Sequence, residues 1–449
     1  MQYDLYLKNG TIVTENSSFL GGIVVNQGKI SQLVYENQEI SAKEIIDLAG
    51  KVLLPGVIDE HAHFSEPGRE YEGYEYGSRA AAAGGVTTIL DMPLNDLPPT
   101  IDRVNLMNKR ELVKNKSIVD YAHWGGLVNN NLENLEELHK EGVIGYKAFM
   151  RDVQDFPRVD DDLLFAGLKK IKELGNIIGV HAENESVTNY LKNKFIAEGR
   201  KDRQAWPESR PPFQELEAIN RAIYWSRVTG GRLHILHVSI SDGIRAIAKA
   251  AFEGVPVSAE TCAHYLFFNE QVHFEKGPYA KAAPPIRSQE EVDLMWKCVK
   301  EGIVDTIASD HSPFPPERHI QGMDDPFKGG GITGIQSILP AIITEGIWKR
   351  GLSWSQLSRM MTSNPARIFG LYPQKGSMLP GSDADFAIIN PEKKWTLQVG
   401  DLYSKYQHSP YVGFQFKGQI EQTIVRGVTV YKNGKIITEP GHGRLYLRN

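Results

Sequence analysis

His61 and His63 stand one residue apart at the end of the apolar run VLLPGVIDEHAH. Side chains two apart on a strand share a face, so this pair can offer two imidazole nitrogens to one ion. Similar apolar runs carry four more residues able to bind metal or handle protons. They are Lys147 in IGYKAFM, His181 in IIGVHAE, His237 in LHILHVS and Asp310 in VDTIASD. A single strand-end histidine is ordinarily a hydrogen-bonded structural residue, and a single aspartate a turn former or helix cap. Four imidazoles and a carboxylate in equivalent places call for another explanation. Lys147 sharpens it, because a lysine running into a buried strand is costly as a cation unless paired or snorkelling. Beside a metal, the neutral amine can add carbon dioxide and become a carbamate, whose oxygens bridge two divalent ions. Such a set would complete a binuclear site of N and O donors, suited to zinc, manganese or cobalt.

These residues need strands that end at one rim. The middle of the chain supplies eight candidates: LLPGVIDEH, VTTILDM, VDYAHWGG, IGYKAFM, IIGVHAE, LHILHVS, VPVSAET and VDTIASD. Helix-like stretches such as EYGSRAAAAG, EELHKEG, PFQELEAINRAIYWSR and DGIRAIAKAAFEG lie between them. Eight βα units over this length predict a (β/α)8 TIM-like barrel, with reactive groups at the C-terminal ends of its strands. A doubly wound sheet would show a Gly-rich turn after its first strand. The only Gly cluster, GGGITG from Gly329, lacks that strand-turn-helix setting. Both ends of the chain instead alternate apolar and polar residues with Gly and Asn at turns, and KNG recurs at Lys8 and Lys432 as a hairpin turn. Each end is too small to bury a core alone, which predicts one small β-sandwich domain built from both termini. The expected divisions are 1–53, 54–375 and 376–449.

At 449 residues, 41% hydrophobic, 23% charged and with a net charge of -5, the chain reads as a soluble globular protein. No basic block favours nucleic acid or an anionic membrane. Two cysteines, Cys262 and Cys298, give no disulfide framework and suit a reducing cytoplasm. Neither a signal peptide nor an apolar run of membrane-spanning length is apparent. Of the remaining histidines, His123 is expected within strand three, His139 in a helix, His234 inside strand six, and His273 and His319 in loops. All five read as structural or solvated. His264 and His311 lie near the rim, with their roles open.

HAH after the first strand, GYKAFM, VHAEN, LHVS and SDHSP together resemble the cyclic amidohydrolases: dihydroorotases, hydantoinases and allantoinases. The resemblance runs through the chain, from LKNGTIV to GSDADFAIINP. It implies that His61 and His63 bind one metal and His181 and His237 another, with carboxylated Lys147 between them and Asp310 completing the first site. The implied reaction is attack of a hydroxide, held between ions roughly 3.5–4 Å apart, on a ring amide. Asp310 would take its proton and return it to the departing nitrogen. Relatives are often tetramers, so a homo-oligomer is expected.

Within the family, dihydroorotases commonly place an arginine where this chain has Ser65, to meet a substrate carboxylate. Arg69 stands nearby. Hydantoinases commonly have a tyrosine five residues after the lysine, where this chain has Asp152. MPLN, from Met92 to Asn95, and the FSEPGR context look like allantoinases. The implied function is hydrolysis of allantoin to allantoate in purine breakdown. Asn95, Ser312 and the backbone of Gly330 and Gly331 are expected to meet the substrate. The family's SPPxR stretch appears as Ala283-Pro284-Pro285-Ile286-Arg287, without its serine. The alternatives are a hydantoinase or dihydropyrimidinase, a dihydroorotase, or a non-catalytic scaffold related to dihydropyrimidinase. Intact metal-binding positions argue against the last.

Overall fold

Eight short parallel strands carry the middle of the chain, each at one of the apolar runs. They are β1 (Val57–Ala62), β2 (Val86–Asp91), β3 (Asp120–His123), β4 (Tyr146–Phe149), β5 (Ile178–His181), β6 (Leu233–Ile235), β7 (Val257–Cys262) and β8 (Thr306–Ala308). The computed structural model describes residues 2–448 except 36, 37, 70 and 154. Strands β1 to β3 pair in order, as do β4 to β8. Gly125–Gly126, just past β3, pairs with Tyr146 and Lys147 of β4. The ring closes where Ala62 bridges His311 and Asp59 accepts a hydrogen bond from the Ser309 backbone at 3.0 Å. Every residue of these strands is buried except partly exposed Ser258, as a sheet covered on both faces requires.

Helices cover the outside. Ser241–Phe252 buries Gly243, Ile244, Ile247 and Ala250, the three-and-four spacing of one helical face. Ile58 of β1, with Trp124 and Leu236 just past the ends of β3 and β6, packs into one apolar cluster.

The termini form one nine-stranded sheet. Val52–Pro55 joins its halves, pairing parallel with Tyr3–Val13 and antiparallel with Phe386–Thr396. The expected small β domain is thus built from both termini, and its two halves share a core of Leu5, Leu7, Ile23, Phe386, Ile388 and Ile424. Only Gly56 separates this sheet from β1, so the sheet rigidly positions the strand that carries His61. The last residues return to the barrel, where Tyr446 donates its backbone N–H to Tyr121 at 2.7 Å.

Two local expectations are corrected. Lys8-Asn9-Gly10 does not turn; Tyr3–Val13 runs straight through it, with a register shift between Leu7 and Gly10 and Asn9 at φ 59°. It is a bulge, held because the chain continues pairing on both sides. The second KNG does turn, since Lys432 pairs with Lys435. His273 and His319 lie in short helices, Glu270–Lys276 and Pro316–Asp324, rather than in loops. Both are buried, because these helices pack against the rim segments.

Candidate metal centre

Barrel closure brings the ends of β1 and β8 together. His61 Nε2 and His63 Nε2 each lie 3.3 Å from Asp310 Oδ1, making a compact three-donor group. Lys147 Nζ, from β4, sits 3.4 Å from His61 Nε2. On the far side, His181 Nδ1 and His237 Nε2 are 2.9 Å apart. The His61 and His237 rings are 5.3 Å apart between centroids, so the two groups adjoin through β4. All six residues line one cavity of about 560 Å³. His237 and Asp310 hold left-handed backbones, φ 41° and 44°, a conformation that costs about 1–3 kcal/mol and concentrates at functional sites.

Protonation follows from this geometry. Burial pushes the Lys147 amine down to about 8, and its hydrogen-bond-range neighbour is an imidazole rather than a carboxylate. Burial also drives His61 and His237 well below the ordinary histidine range and takes His181 to about 4. Neutral imidazoles are the form that ligates metal. Burial opposes the charge on Asp310, but His61 and His63 outweigh it and hold the carboxyl well below the usual range.

Two further residues orient the donors. Glu260 Oε1 accepts His61 Nδ1–H at 2.8 Å and the His237 backbone N–H at 2.9 Å. Glu183 Oε2 accepts His181 Nε2–H at 2.8 Å, and Arg210 lies 3.4 Å from the same carboxylate. Each bond fixes a tautomer and turns the other ring nitrogen toward the cavity. Glu183, two residues after His181, carried the same period-2 signal as the first histidine pair. Glu260 had only its place on the seventh strand.

Asn95, Ser312, Gly330 and Gly331 also line the cavity. Asn95 is both a turn residue, at φ 66°, and a cavity wall. Gly331 has φ 106°, and a Cβ there would meet Ser312 O at 2.4 Å, so only glycine lets this loop close on the site. Ser65 is buried and its hydroxyl has no hydrogen-bond partner. Cations are nevertheless present in the cavity: Arg69, Arg151, Lys192, Arg210, Lys281 and Arg318. The lack of one at position 65 therefore does not make it uncharged. Several are engaged elsewhere: Arg69 pairs with Asp155, and Lys281 donates to the carbonyls of Pro326 and Lys328 at 2.6 and 2.7 Å. Arg287 binds Glu215 and Ser239 away from the cavity. Of the histidines with open roles, His311 accepts the Gly334 N–H at 3.1 Å, and buried His264 packs on Tyr265.

A second acidic group, Asp120, Asp383 and Asp385, surrounds the Lys375 ammonium, with Asp385 at 2.6 Å and Asp383 at 3.0 Å. It is an ion-pair network joining barrel to sheet.

Residues 52–430 match the profile of the amidohydrolase family. The allantoinase of Escherichia coli K12 is 41% identical over 439 residues, covering 96% of each chain. The solved L-hydantoinase (dihydropyrimidinase) of Arthrobacter aurescens superposes with a TM-score of 0.97 at 35% identity over the whole of both chains. A dihydropyrimidinase of Brevibacillus agri gives 0.91 at 32% identity, covering 99% of this chain and 98% of its own.

Proposed function

This chain belongs to the amidohydrolase family, and on that premise we propose that it is a metal-dependent allantoinase, opening the hydantoin ring of allantoin to allantoate. The observation that carries this reading is the near-full-length likeness to an allantoinase; the cavity supplies the chemistry.

The donor set suits two divalent ions, zinc first among them. His61, His63 and Asp310 would hold one and His181 and His237 the other, with a carbamate on Lys147 between them. Bound ions would polarise the ring carbonyl and lower the pKa of the attacking water. Asp310, ionised beside His61 and His63, accepts the water's proton and passes it to the ring nitrogen as the C–N bond breaks. The water oxygen stays on the carbonyl carbon as the new carboxylate. Phe149, its ring stacked on His181 at 4.8 Å between centroids, gives that side of the cavity an apolar wall. Asn95, Ser312 and the Gly331 backbone offer donors and acceptors to the ring and the ureido tail.

Chelator-stripped protein should be inactive on allantoin and recover with added zinc; turnover that survives complete metal removal would contradict the reading. The likeness to L-hydantoinase favours hydantoin hydrolysis as the second reading.

The same proposal places the enzyme in the cytoplasm as a homo-oligomer, a tetramer by family likeness. Its support is the likeness to the family, beside large apolar side chains left exposed on three outer helices: Tyr190, Phe213, Tyr224, Val228 and Phe252. No helix among the described residues is long and apolar enough to cross a membrane.

A further inference from the structure

Glu60 of β1, His234 of β6 and Glu260 of β7 converge inside the barrel, and none of them lines the cavity. All three are fully buried. His234 Nε2 lies 3.7 Å from Glu60 Oε1 and 3.9 Å from Glu260 Oε2. Glu260 Oε2, His234 Nε2 and at least one Glu60 oxygen have no hydrogen-bond partner. The Thr306 hydroxyl is the one side-chain hydrogen-bond donor set against the Glu60 carboxylate. Native interiors rarely leave one such atom unsatisfied; here, among the described residues, at least three, on Glu60, Glu260 and His234, gather beside an apolar cluster that includes Trp124, Leu236 and Phe369.

We propose that Glu60, His234 and Glu260 form a separate buried site for a divalent transition-metal ion. Donors about 2.0–2.2 Å from one tetrahedral ion lie roughly 3.4 Å apart, so the two histidine–glutamate spacings need only a few tenths of an ångström of contraction, with all three donors within 4.8 Å of one another. Two carboxylates and a neutral imidazole match a dication in charge, and one nitrogen with two oxygens suits zinc or manganese better than magnesium or calcium. The tautomer is supported too. His234 Nδ1 lies 2.7 Å from Ser258 Oγ, and donating there leaves Nε2 with its lone pair toward the carboxylates.

The site would act on its neighbour through Glu260. One oxygen of that carboxylate receives His61 Nδ1–H and the His237 N–H; the other faces the buried ion. The ion would pin Glu260, and with it a donor on each side of the centre above.

Anomalous diffraction from zinc-loaded crystals, collected above and below the zinc absorption edge, tests this directly. We expect a peak within about 2.3 Å of His234 Nε2 and one oxygen of each glutamate, distinct from peaks at His61, His63 and Asp310. Occupied cavity ligands with no anomalous peak at His234 overturn the proposal. A peak at His234 with none in the cavity would keep it and remove the binuclear reading. In solution, His234→Gln should hold one zinc equivalent fewer than wild type; unchanged zinc content would also overturn it.

Discussion

Glu183→Gln should weaken one half of the centre while leaving the cavity's shape in place. The wild-type carboxylate accepts His181 Nε2–H at 2.8 Å and the Gln214 amide at 3.2 Å, with Arg210 at 3.4 Å. Burial opposes its charge, but Arg210 and His181 hold it ionised, well below the usual carboxylate range. Glutamine keeps the size and one carbonyl acceptor but loses the charge that raises the basicity of His181. Such orienting partners are worth about 10–100-fold in metal affinity, or roughly 1.4–2.7 kcal/mol. The neutral amide still accepts the His181 proton, so the lower half of that range is expected. Chelator competition on the zinc-loaded protein should show one ion released more readily and the other unchanged. Excess zinc should restore most of kcat on allantoin at an unchanged KM. Arg210, buried without its carboxylate, should also lower the midpoint of urea unfolding. Zinc affinity within about twofold of wild type would refute the orienting role of Glu183, as would an equal loss of both ions.

Lys147→Ala should abolish turnover, with partial rescue by small carboxylates such as acetate that fill the same bridge; full activity would exclude the carbamate. Lys375→Met keeps volume but leaves Asp120, Asp383 and Asp385 short of a cation, and should cost about 3–5 kcal/mol by chemical denaturation. Unpaired buried carboxylates have folded pKa values above their unfolded value near 3.9, so this deficit should shrink as pH falls through the acid range and grow toward neutrality. A pH-independent deficit would contradict that assignment. Gly331→Ala forces a side chain onto Ser312 O and Phe314, and should raise KM for allantoin severalfold while the zinc content stays at the wild-type level.

Much of the barrel was legible because parallel strands buried on both faces leave unbroken apolar runs, and its functional side chains end or enter those runs. His61, His63, Lys147, His181, His237 and Asp310 could be named from that rule, with the family resemblance supplying their roles. Glu183 and Glu260 could not, because an orienting carboxylate is defined by the ring it meets across the barrel. The partner of Glu260 is 199 residues away. The same gap hid the two KNG segments' different fates. An identical tripeptide turns where its flanks can pair with each other and bulges where both flanks continue along neighbouring strands. Ser65 informs its own position only. One missing arginine said little about charge in a cavity that gathers six cations from distant segments.

Whether this centre opens the allantoin ring is tested most directly by kcat/KM measured with zinc-loaded protein on allantoin, hydantoin, dihydrouracil and dihydroorotate. Allantoin should exceed each of the other three by at least tenfold, about 1.4 kcal/mol in transition-state stabilisation, with allantoate as the sole product. A higher kcat/KM on any of the other three rings would contradict it.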